Sequence, residues 1–308
     1  MMIGNIQECY YVHPDNIKTV REQLNLRVAV VARPDWFLKE SGARQLIVET
    51  PRGIHNRIFL AEYGGIPFVV AYGRFNRVRG TSADIDYELT QEVFSFLGIE
   101  TIVGTFVCGA VGINDKSDTV YIPDSFIGFG NYNQTRNRKI GFRNPDMSVP
   151  FCPILRDRLV HAAEKAPFEV KTNGVYASFH GYPRIPTAAE YDFFERNGCQ
   201  MVGQSMDGEA TLAKEAGCHY AAVTVTIEDR AMRARMMVDD RGQNDEVHRI
   251  TREGRKKTFN LFLDVLSEIN ELSNDRCNCR EQGERVRTPS KDFYYRPGYL
   301  RVDQKVST

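Results

Sequence analysis

The sequence lacks both a long apolar run and an excess of charge of either sign. A membrane-spanning helix needs about 18 or more consecutive apolar residues, and the 308 residues contain no such run. Lys and Arg together number 40, and Asp and Glu together also number 40. This balance gives the chain no overall attraction to nucleic acid or to an anionic membrane. We therefore expect neither of these as a partner.

The chain also lacks the features of a secreted protein. Its seven Cys are odd in number and scattered, which suits free thiols in a reducing compartment better than a disulfide framework. Cys277 and Cys279 have the wrong spacing for a zinc knuckle, and no His pair follows them, so we expect no metal site. Residues 1–16 have neither the basic nor the apolar segment of a signal peptide. These features predict a soluble, cytoplasmic protein.

Strand and helix patterns alternate along most of the chain. From residue 66 onward, short apolar strands are followed by amphipathic helices. This order predicts an α/β fold in a single domain, with a mixed central β-sheet flanked by helices. We expect an N-terminal extension over residues 1–25, the domain over 26–272 and a tail over 273–308. The tail is predicted to be mobile or to pack on a neighbouring subunit.

Residues 174–230 show this alternation most clearly. Three β-rich segments alternate with two helical ones, and the last strand is predicted to end at Glu228 and Asp229. In such folds, ligands bind at the carboxyl ends of the strands. Two positions meet this rule, namely the turn at 203–205 and the acidic pair at 228–229. An arginine-rich segment follows, at 230–235, and is predicted to be a solvated loop.

Five short motifs occur in a fixed order along the chain. They are Gly73-Arg74-Phe75-Asn76, the turn Val107–Ala110, Ser117-Asp118, the segment from Gly181 to Glu190, and the segment from Val202 to Gly217. Together they resemble the nucleoside phosphorylase superfamily over about residues 27–270. The resemblance is strongest to its trimeric branch, the purine nucleoside and methylthioadenosine phosphorylases. It implies a phosphorylase/hydrolase-like fold and a homotrimer or a dimer of trimers.

The resemblance also implies a phosphate site. Arg74 supplies a guanidinium fork suited to phosphate, and Ser205 supplies a hydroxyl beside the free N–H groups of a helix start. Two members of the site differ from the family pattern. Arg33 stands in the loop where the family has Gly-Ser/Thr-Gly, and Asn76 replaces a His. We expect Arg33 and Asn76 to take part in the altered site.

A second set of residues is implied to hold the nucleoside. Glu228 takes the place of the family residue that contacts the purine at N7, and Asp229 is its rival for this catalytic role. A carboxyl whose pKa is raised by burial can donate a hydrogen to N7. The other predicted nucleoside contacts are Gln204, Ile185, Phe106, Tyr182, His180 and Asn244.

These features predict a purine nucleoside, or 5′-modified nucleoside, phosphorylase. Cleavage of the N-glycosidic bond builds positive charge on the sugar, so phosphate must attack from the face opposite the leaving base. Inorganic phosphate would be a co-substrate, and no cofactor is expected. Two alternatives remain at this point. One is a nucleoside hydrolase with Asp35 or Asp207 as the base, and the other is a non-catalytic nucleoside-binding protein.

Overall fold

The computed structural model describes residues 9–73, 84–129, 144–179, 184–236, 240–272 and 276–287. These residues form one twelve-stranded mixed sheet with helices packed on it. The strands are β1 (Cys9–Val12), β2 (Val28–Ala32), β3 (Arg44–Thr50), β4 (Gly53–Tyr63), β5 (Ile66–Tyr72), β6 (Thr101–Ala110), β7 (Val120–Tyr121), β8 (Ser125–Gly128), β9 (Val170–Lys171), β10 (Val175–Ser178), β11 (Cys199–Gly203) and β12 (His219–Glu228). The helices are α1 (Ile17–Leu24), α2 (Asp35–Glu40), α3 (Tyr87–Leu97), α4 (Pro153–Ala163), α5 (Ala188–Arg196), α6 (Met206–Ala216), α7 (Arg230–Met236), α8 (Asp240–Asn270) and α9 (Cys279–Arg287). None of the described helices is both long enough and apolar enough to span a membrane.

The centre of the sheet is parallel. Strand β6 lies between β2 and β12, and β5 pairs with β2 on its other edge, all four running in the same direction. All five residues of β2 are buried, as expected for a parallel strand covered on both faces. Because all four strands run the same way, their carboxyl ends meet at one edge of the sheet, where a ligand site is expected.

Helices cover the two faces of this parallel core. On one face, Ala29 and Val31 of β2 belong to a buried cluster that also contains residues of α3 and α6. On the other, Val28 and Val30 belong to a cluster with residues of α4 and α8. The alternation follows from the period of two residues in a strand. The predicted single α/β domain with a mixed, helix-flanked sheet is confirmed.

The helices that flank the site begin and end as their sequences predict. Helix α5 begins with a capping box in which Thr187 and Glu190 exchange side-chain and backbone hydrogen bonds. Helix α6 ends at Gly217, whose left-handed φ of 79° caps its carboxyl end. The segment at 230–235 differs from its prediction, because it forms helix α7 rather than a loop. Asp229, the residue before α7, accepts a hydrogen bond from the N–H of Met232 in the first turn of this helix.

The two terminal segments add to the fold. In the N-terminal extension, β1 pairs in parallel with β3. At the other end, α9 packs against the carboxyl end of α6. A Cβ atom placed on Gly283 of α9 would lie 2.3 Å from the Cα atom of Gly217, so the two backbones touch. Residues 276–287 therefore pack on their own chain.

Candidate active site

A cavity of about 410 Å³ lies at the carboxyl ends of the parallel strands. Its volume falls within the usual range for small-molecule sites. Six of the predicted site residues line it together, although they come from five different places in the sequence. They are Arg33, Phe106, Ile185, Gln204, Ser205 and Glu228.

Other predicted residues lie outside what the structure describes. Arg74, Asn76, His180 and Tyr182 fall in segments without described positions, and Asn244 lies on α8 with no described side chain. Gly73, which directly precedes Arg74 in the chain, lines the cavity. The roles assigned to these five residues remain predictions.

One part of the cavity carries an excess of positive charge. Arg33 follows β2, and Arg255 reaches the cavity from α8. Burial lowers the pKa of Arg255, and the neighbouring Arg33 lowers it further. Burial and Arg33 likewise lower the pKa of Arg57 on β4. A desolvated group of cations is unfavourable by itself, and an incoming anion would relieve that cost.

The carboxylate of Asp35 lies near these arginines. Asp35 accepts a hydrogen bond from the Tyr72 hydroxyl. Burial, together with this bond, raises the pKa of Tyr72 to about 12, so the phenol stays neutral. The Tyr72 ring also lies 4.8 Å from the guanidinium carbon of Arg57 and 5.9 Å from that of Arg33. Arg33, Arg57 and Arg255 therefore lie close enough to act on one another's charge, with Asp35 among their neighbours.

The predicted phosphate ligand Ser205 stands at the start of α6. It is the N-cap residue, and its side chain makes no hydrogen bond to the helix backbone. Ser205 is one of the residues that line the cavity. The amino end of a helix favours anions through its exposed N–H groups and its dipole.

Gly73 keeps the Arg33 side chain in its place. Its φ is +67°, and a Cβ atom there would lie 2.8 Å from Nε of Arg33. Gly42 has nearly the same φ, +66°, with nothing within 4 Å of an added Cβ. Both glycines thus have a left-handed backbone, but only at Gly73 would an added Cβ atom force a neighbouring side chain, that of Arg33, to move.

This pair gives a matched test of the Arg33 position. We expect Gly73→Ala and Gly42→Ala to lose similar stability, about 1 kcal/mol each, from left-handed backbone strain. Only Gly73→Ala should also raise the KM for phosphate, because it displaces the Arg33 guanidinium. Thermal unfolding and steady-state kinetics on both variants measure the two effects. An unchanged KM for phosphate in Gly73→Ala would show that the position of Arg33 does not affect phosphate binding.

A second polar group lies at the ends of β6 and β12. The Glu228 side chain is only 14% exposed, and its Oε1 atom lies 3.7 Å from Nη1 of Arg233. Burial raises the pKa of Glu228, although Arg233 opposes the rise. The protonated form, which can donate a hydrogen bond, is thereby favoured relative to a carboxyl in water.

Arg233 on α7 is held rigidly behind this carboxyl. Its Nη2 donates to the carbonyl of Ala110 at 2.8 Å, and its guanidinium lies 4.0 Å from the centre of the Tyr191 ring. Its Nη1 is buried without a hydrogen-bond partner among the described residues. The sequence does not identify Arg233, because it predicts a solvated loop over 230–235, and it does not identify Tyr191, which lies on α5 and meets Arg233 only through the packing of α7. The strict arginine spacing at 230 and 233 gave no sign that one of them turns inward.

Asp229, the rival of Glu228, has a different environment. Its carboxylate accepts hydrogen bonds from the backbone N–H and hydroxyl of Ser117 and from the N–H of Met232. Burial alone would raise the pKa of Asp229, but these hydrogen bonds outweigh it and lower the pKa. The residue supports the start of α7 and stays ionised. It therefore lacks the proton that the predicted catalytic role requires.

The other predicted nucleoside contacts that the structure describes form one wall of the cavity. Phe106 is buried, with its ring 5.8 Å from that of Tyr176. Ile185 is 58% exposed at the cavity mouth. Gln204 donates to the carbonyl of Arg184 at 3.4 Å, which ties β11 to the segment carrying Ile185. The wall thus has a buried aromatic side and an open apolar edge.

Groups that could support another chemistry are already engaged. Burial raises the pKa of the Cys108 thiol to about 12, so it is not a thiolate nucleophile at neutral pH. Asp207 is buried on α6 and accepts a hydrogen bond from the Ser178 hydroxyl at 2.6 Å. Asp35 is bonded to Tyr72.

Comparison with known proteins agrees with this geometry. A protein 33% identical over 143 residues is the "Probable S-methyl-5′-thioinosine phosphorylase" of Thermodesulfovibrio yellowstonii, with 46% of this chain and 54% of that protein covered. The "Probable 6-oxopurine nucleoside phosphorylase" of Thermococcus kodakarensis is 30% identical over 195 residues, covering 59% and 70% of the two chains. The chain spans about half the length of the first of these relatives.

Solved structures show the same fold. Methylthioadenosine phosphorylase from Schistosoma mansoni in complex with adenine superposes with a TM-score of 0.70 at 18% identity, covering 87% of this chain and 99% of that one. The model of the phosphorylase superfamily matches residues 28–267, which lie inside the predicted domain and include every described residue of the cavity. Since that match spans most of the chain, and the cavity lies where strands of this fold bind ligands, the protein belongs to the phosphorylase superfamily.

Proposed function

We propose that this protein cleaves the N-glycosidic bond of a purine nucleoside, or of its 5′-modified form, with phosphate. The products are the free base and a ribose 1-phosphate. The observation that carries the proposal is the pairing of two unlike groups in one cavity. Arg33 and Arg255 line the cavity with Arg57 close to Arg33, and a buried carboxyl with a raised pKa lies at the end of β12.

Phosphate is proposed to bind between Arg33, Arg255 and Ser205, with Arg57 adding charge from behind. A phosphate dianion would neutralise the excess positive charge that these arginines carry, which makes its binding favourable in a partly desolvated site. Arg74, which follows Gly73, remains a proposed further contact. This arrangement puts a nucleophile in the cavity without a general base, because phosphate is already ionised at neutral pH.

Glu228 is proposed to act on the leaving base. As the glycosidic bond breaks, negative charge grows on the purine, and a hydrogen bond donated to N7 stabilises it. The protonated Glu228 carboxyl supplies that donor. Arg233 acts as a positioning residue, since it holds Glu228 in place and limits the rise in its pKa. Gln204, Ile185 and Phe106 are proposed to contact the nucleoside.

Relatives support a purine substrate, with or without a modified 5′ group. Similar proteins include S-methyl-5′-thioinosine, S-methyl-5′-thioadenosine and 6-oxopurine nucleoside phosphorylases. We propose the same substrate class for this chain. The reaction needs phosphate as a co-substrate and no organic cofactor.

A panel of nucleosides with and without phosphate tests the proposed function. We expect turnover of inosine, adenosine or their 5′-methylthio forms only when phosphate is present, with ribose 1-phosphate or its 5′-methylthio form as the sugar product. Equal rates without phosphate, together with the free sugar, would identify a hydrolase. A thermal shift with nucleosides but no product over hours would identify a binding protein.

A trimer in the cytoplasm is part of the proposal. Ile185 at the cavity mouth is exposed, as are the nearby aromatic rings of Phe129 and Phe193, which lie 6.0 Å apart. Exposed apolar side chains beside a cavity are typical of an interface that a neighbouring subunit covers. Sedimentation equilibrium should give the mass of a trimer or hexamer, and a monomer would contradict this part of the proposal.

A further inference from the structure

Four metal-ligating side chains meet far from the cavity. They are Cys152, His219, Cys277 and Cys279, and one ligand atom from each lies within 4.8 Å of all the others. The sulfurs of Cys152 and Cys277 are each 3.3 Å from Nδ1 of His219. Cys152, His219 and Cys279 are 3%, 2% and 6% exposed, respectively.

These separations are close to those of a tetrahedral zinc site. Zinc binds thiolate sulfur at about 2.3 Å and imidazole nitrogen at about 2.0–2.1 Å, so neighbouring ligands in a tetrahedron lie about 3.5–3.8 Å apart. The sulfur–nitrogen distances differ from this value by a few tenths of an ångström. Three sulfurs and one nitrogen are also the soft and borderline donors that select zinc over magnesium or calcium.

The rigid part of the fold positions two of the four ligands. Cys152 is the residue before α4, and its backbone N–H donates to the carbonyl of Tyr220 at 2.8 Å. His219 is the first residue of β12, and its N–H donates to the carbonyl of Glu100 at 2.8 Å. Both ligands are therefore fixed on the central sheet before the C-terminal segment arrives.

The other two ligands come from that C-terminal segment. Cys277 precedes α9, and Cys279 is its first residue. The same helix is held close to α6 by the contact between Gly283 and Gly217. A metal bound by Cys277 and Cys279 would also hold the start of α9 on the core. The site would then bind the segment 276–287 to the core at two points.

The cluster is separate from the proposed phosphorylase site. His219 and Glu228 are the two ends of β12, so they lie about 30 Å apart at the usual rise of a strand. All four positions of a tetrahedron are filled by protein, which is typical of a structural site rather than a catalytic one.

We propose that Cys152, His219, Cys277 and Cys279 form a structural zinc site that fastens the C-terminal helix to the core. Binding converts three thiols to thiolates and leaves the imidazole neutral, so one Zn²⁺ ion displaces three protons. Affinity therefore falls as the pH is lowered. The earlier expectation of no metal depended on local spacing, whereas these ligands are brought together from three distant parts of the chain.

The test begins with the full-length protein purified in reductant, without a chelator or a polyhistidine tag. Elemental analysis should find about one zinc per chain, as expected for a single closed site. After the metal is removed, Co²⁺ should restore binding with the visible absorption of a tetrahedral thiolate complex. Zinc loading should also raise the midpoint of thermal unfolding and protect the C-terminal helix from proteolysis.

Variants locate the site. Cys277→Ala together with Cys279→Ala should abolish metal binding, whereas Cys199→Ala, at a buried cysteine outside the cluster, should leave it intact. Equal metal content in both variants would overturn the proposal. So would wild-type protein that binds neither zinc nor Co²⁺ in reductant, or a disulfide between two of the cluster cysteines as the stable state of the native protein. The wild-type measurements decide the question even if the double variant does not fold.

Discussion

Replacing Arg255 by Met is expected to lower kcat/KM for phosphate on the order of 100-fold, the usual effect of losing one preorganised charged donor. Arg255 lines the cavity from α8 and shares the excess positive charge with Arg33. Met keeps most of the aliphatic length of the side chain and removes only the guanidinium. Steady-state kinetics with phosphate as the varied substrate measure the effect.

Arg252 provides the matched control for this prediction. It lies one turn earlier on α8 and is exposed to solvent. Arg252→Met should therefore leave kcat/KM within about twofold, as for most surface substitutions. An equal loss in both variants would show that the kinetics respond to the overall charge of the helix and not to a phosphate contact.

Arg255→Met should not destabilise the protein. Arg255 and Arg57 both have pKa values lowered by burial and by Arg33, so the folded state carries a repulsion that Arg255→Met relieves. We expect the variant without phosphate to unfold at the wild-type temperature or above. Adding phosphate should then raise the unfolding midpoint of the wild type more than that of the variant. A variant that is both inactive and less stable would contradict this account of the cluster.

Replacing Glu228 by Ala is expected to lower kcat on the order of 100- to 1,000-fold, because the departing purine loses its hydrogen-bond donor. Glu228→Gln should retain more activity than Glu228→Ala, since the carboxamide N–H can still donate. Both are compared with the wild type on the same nucleoside at saturating phosphate. Equal activity in the wild type and in Glu228→Ala would remove Glu228 from the mechanism.

The pH profile distinguishes donation from simple contact. The active form of Glu228 is the protonated one, so wild-type activity should fall as pH rises through its raised pKa. Glu228→Gln has no proton to lose there, and this part of its profile should be flat. The descending limb should therefore be present in the wild type and absent in Glu228→Gln. Its persistence in the Gln variant would assign the limb to another group.

The wild type and Glu228→Gln should also differ in how their stability depends on pH. A carboxyl whose pKa is higher in the folded than in the unfolded state binds its proton more tightly when folded, so its contribution to stability is lost as pH rises through the folded pKa. Glu228→Gln lacks this penalty. The wild type should therefore lose stability relative to the Gln variant as pH rises, which chemical denaturation at several pH values measures.

The sequence placed several of the cavity residues correctly at the ends of strands. Gln204 and Ser205 follow one strand directly, and Glu228 ends another. Local rules for strand ends, helix caps and left-handed glycines are enough to find such positions. The α/β fold follows from the periodic pattern of apolar residues, and the resemblance of the five motifs implied its phosphorylase type.

The phosphate side was harder to predict. Arg33, Arg57 and Arg255 belong to three distant parts of the sequence, and only the packing of β2, β4 and α8 gives them a common environment. The family loop that usually performs this function is replaced by Arg33-Pro34-Asp35. No local pattern in the sequence indicates that Arg57 and Arg255 lie near Arg33.

The same division explains both errors and successes elsewhere in the chain. The amino-acid sequence by itself determined most of the order of strands and helices and the identity of Glu228 as a strand-end acid, because these depend on neighbours within a few residues. Only the tertiary structure decided that Arg233 points inward, that Asp229 supports a helix, and that Cys152 and His219 meet Cys277 and Cys279. Those outcomes depend on which distant elements pack together, and burial then determines the charge, the pKa and the available partners of each side chain.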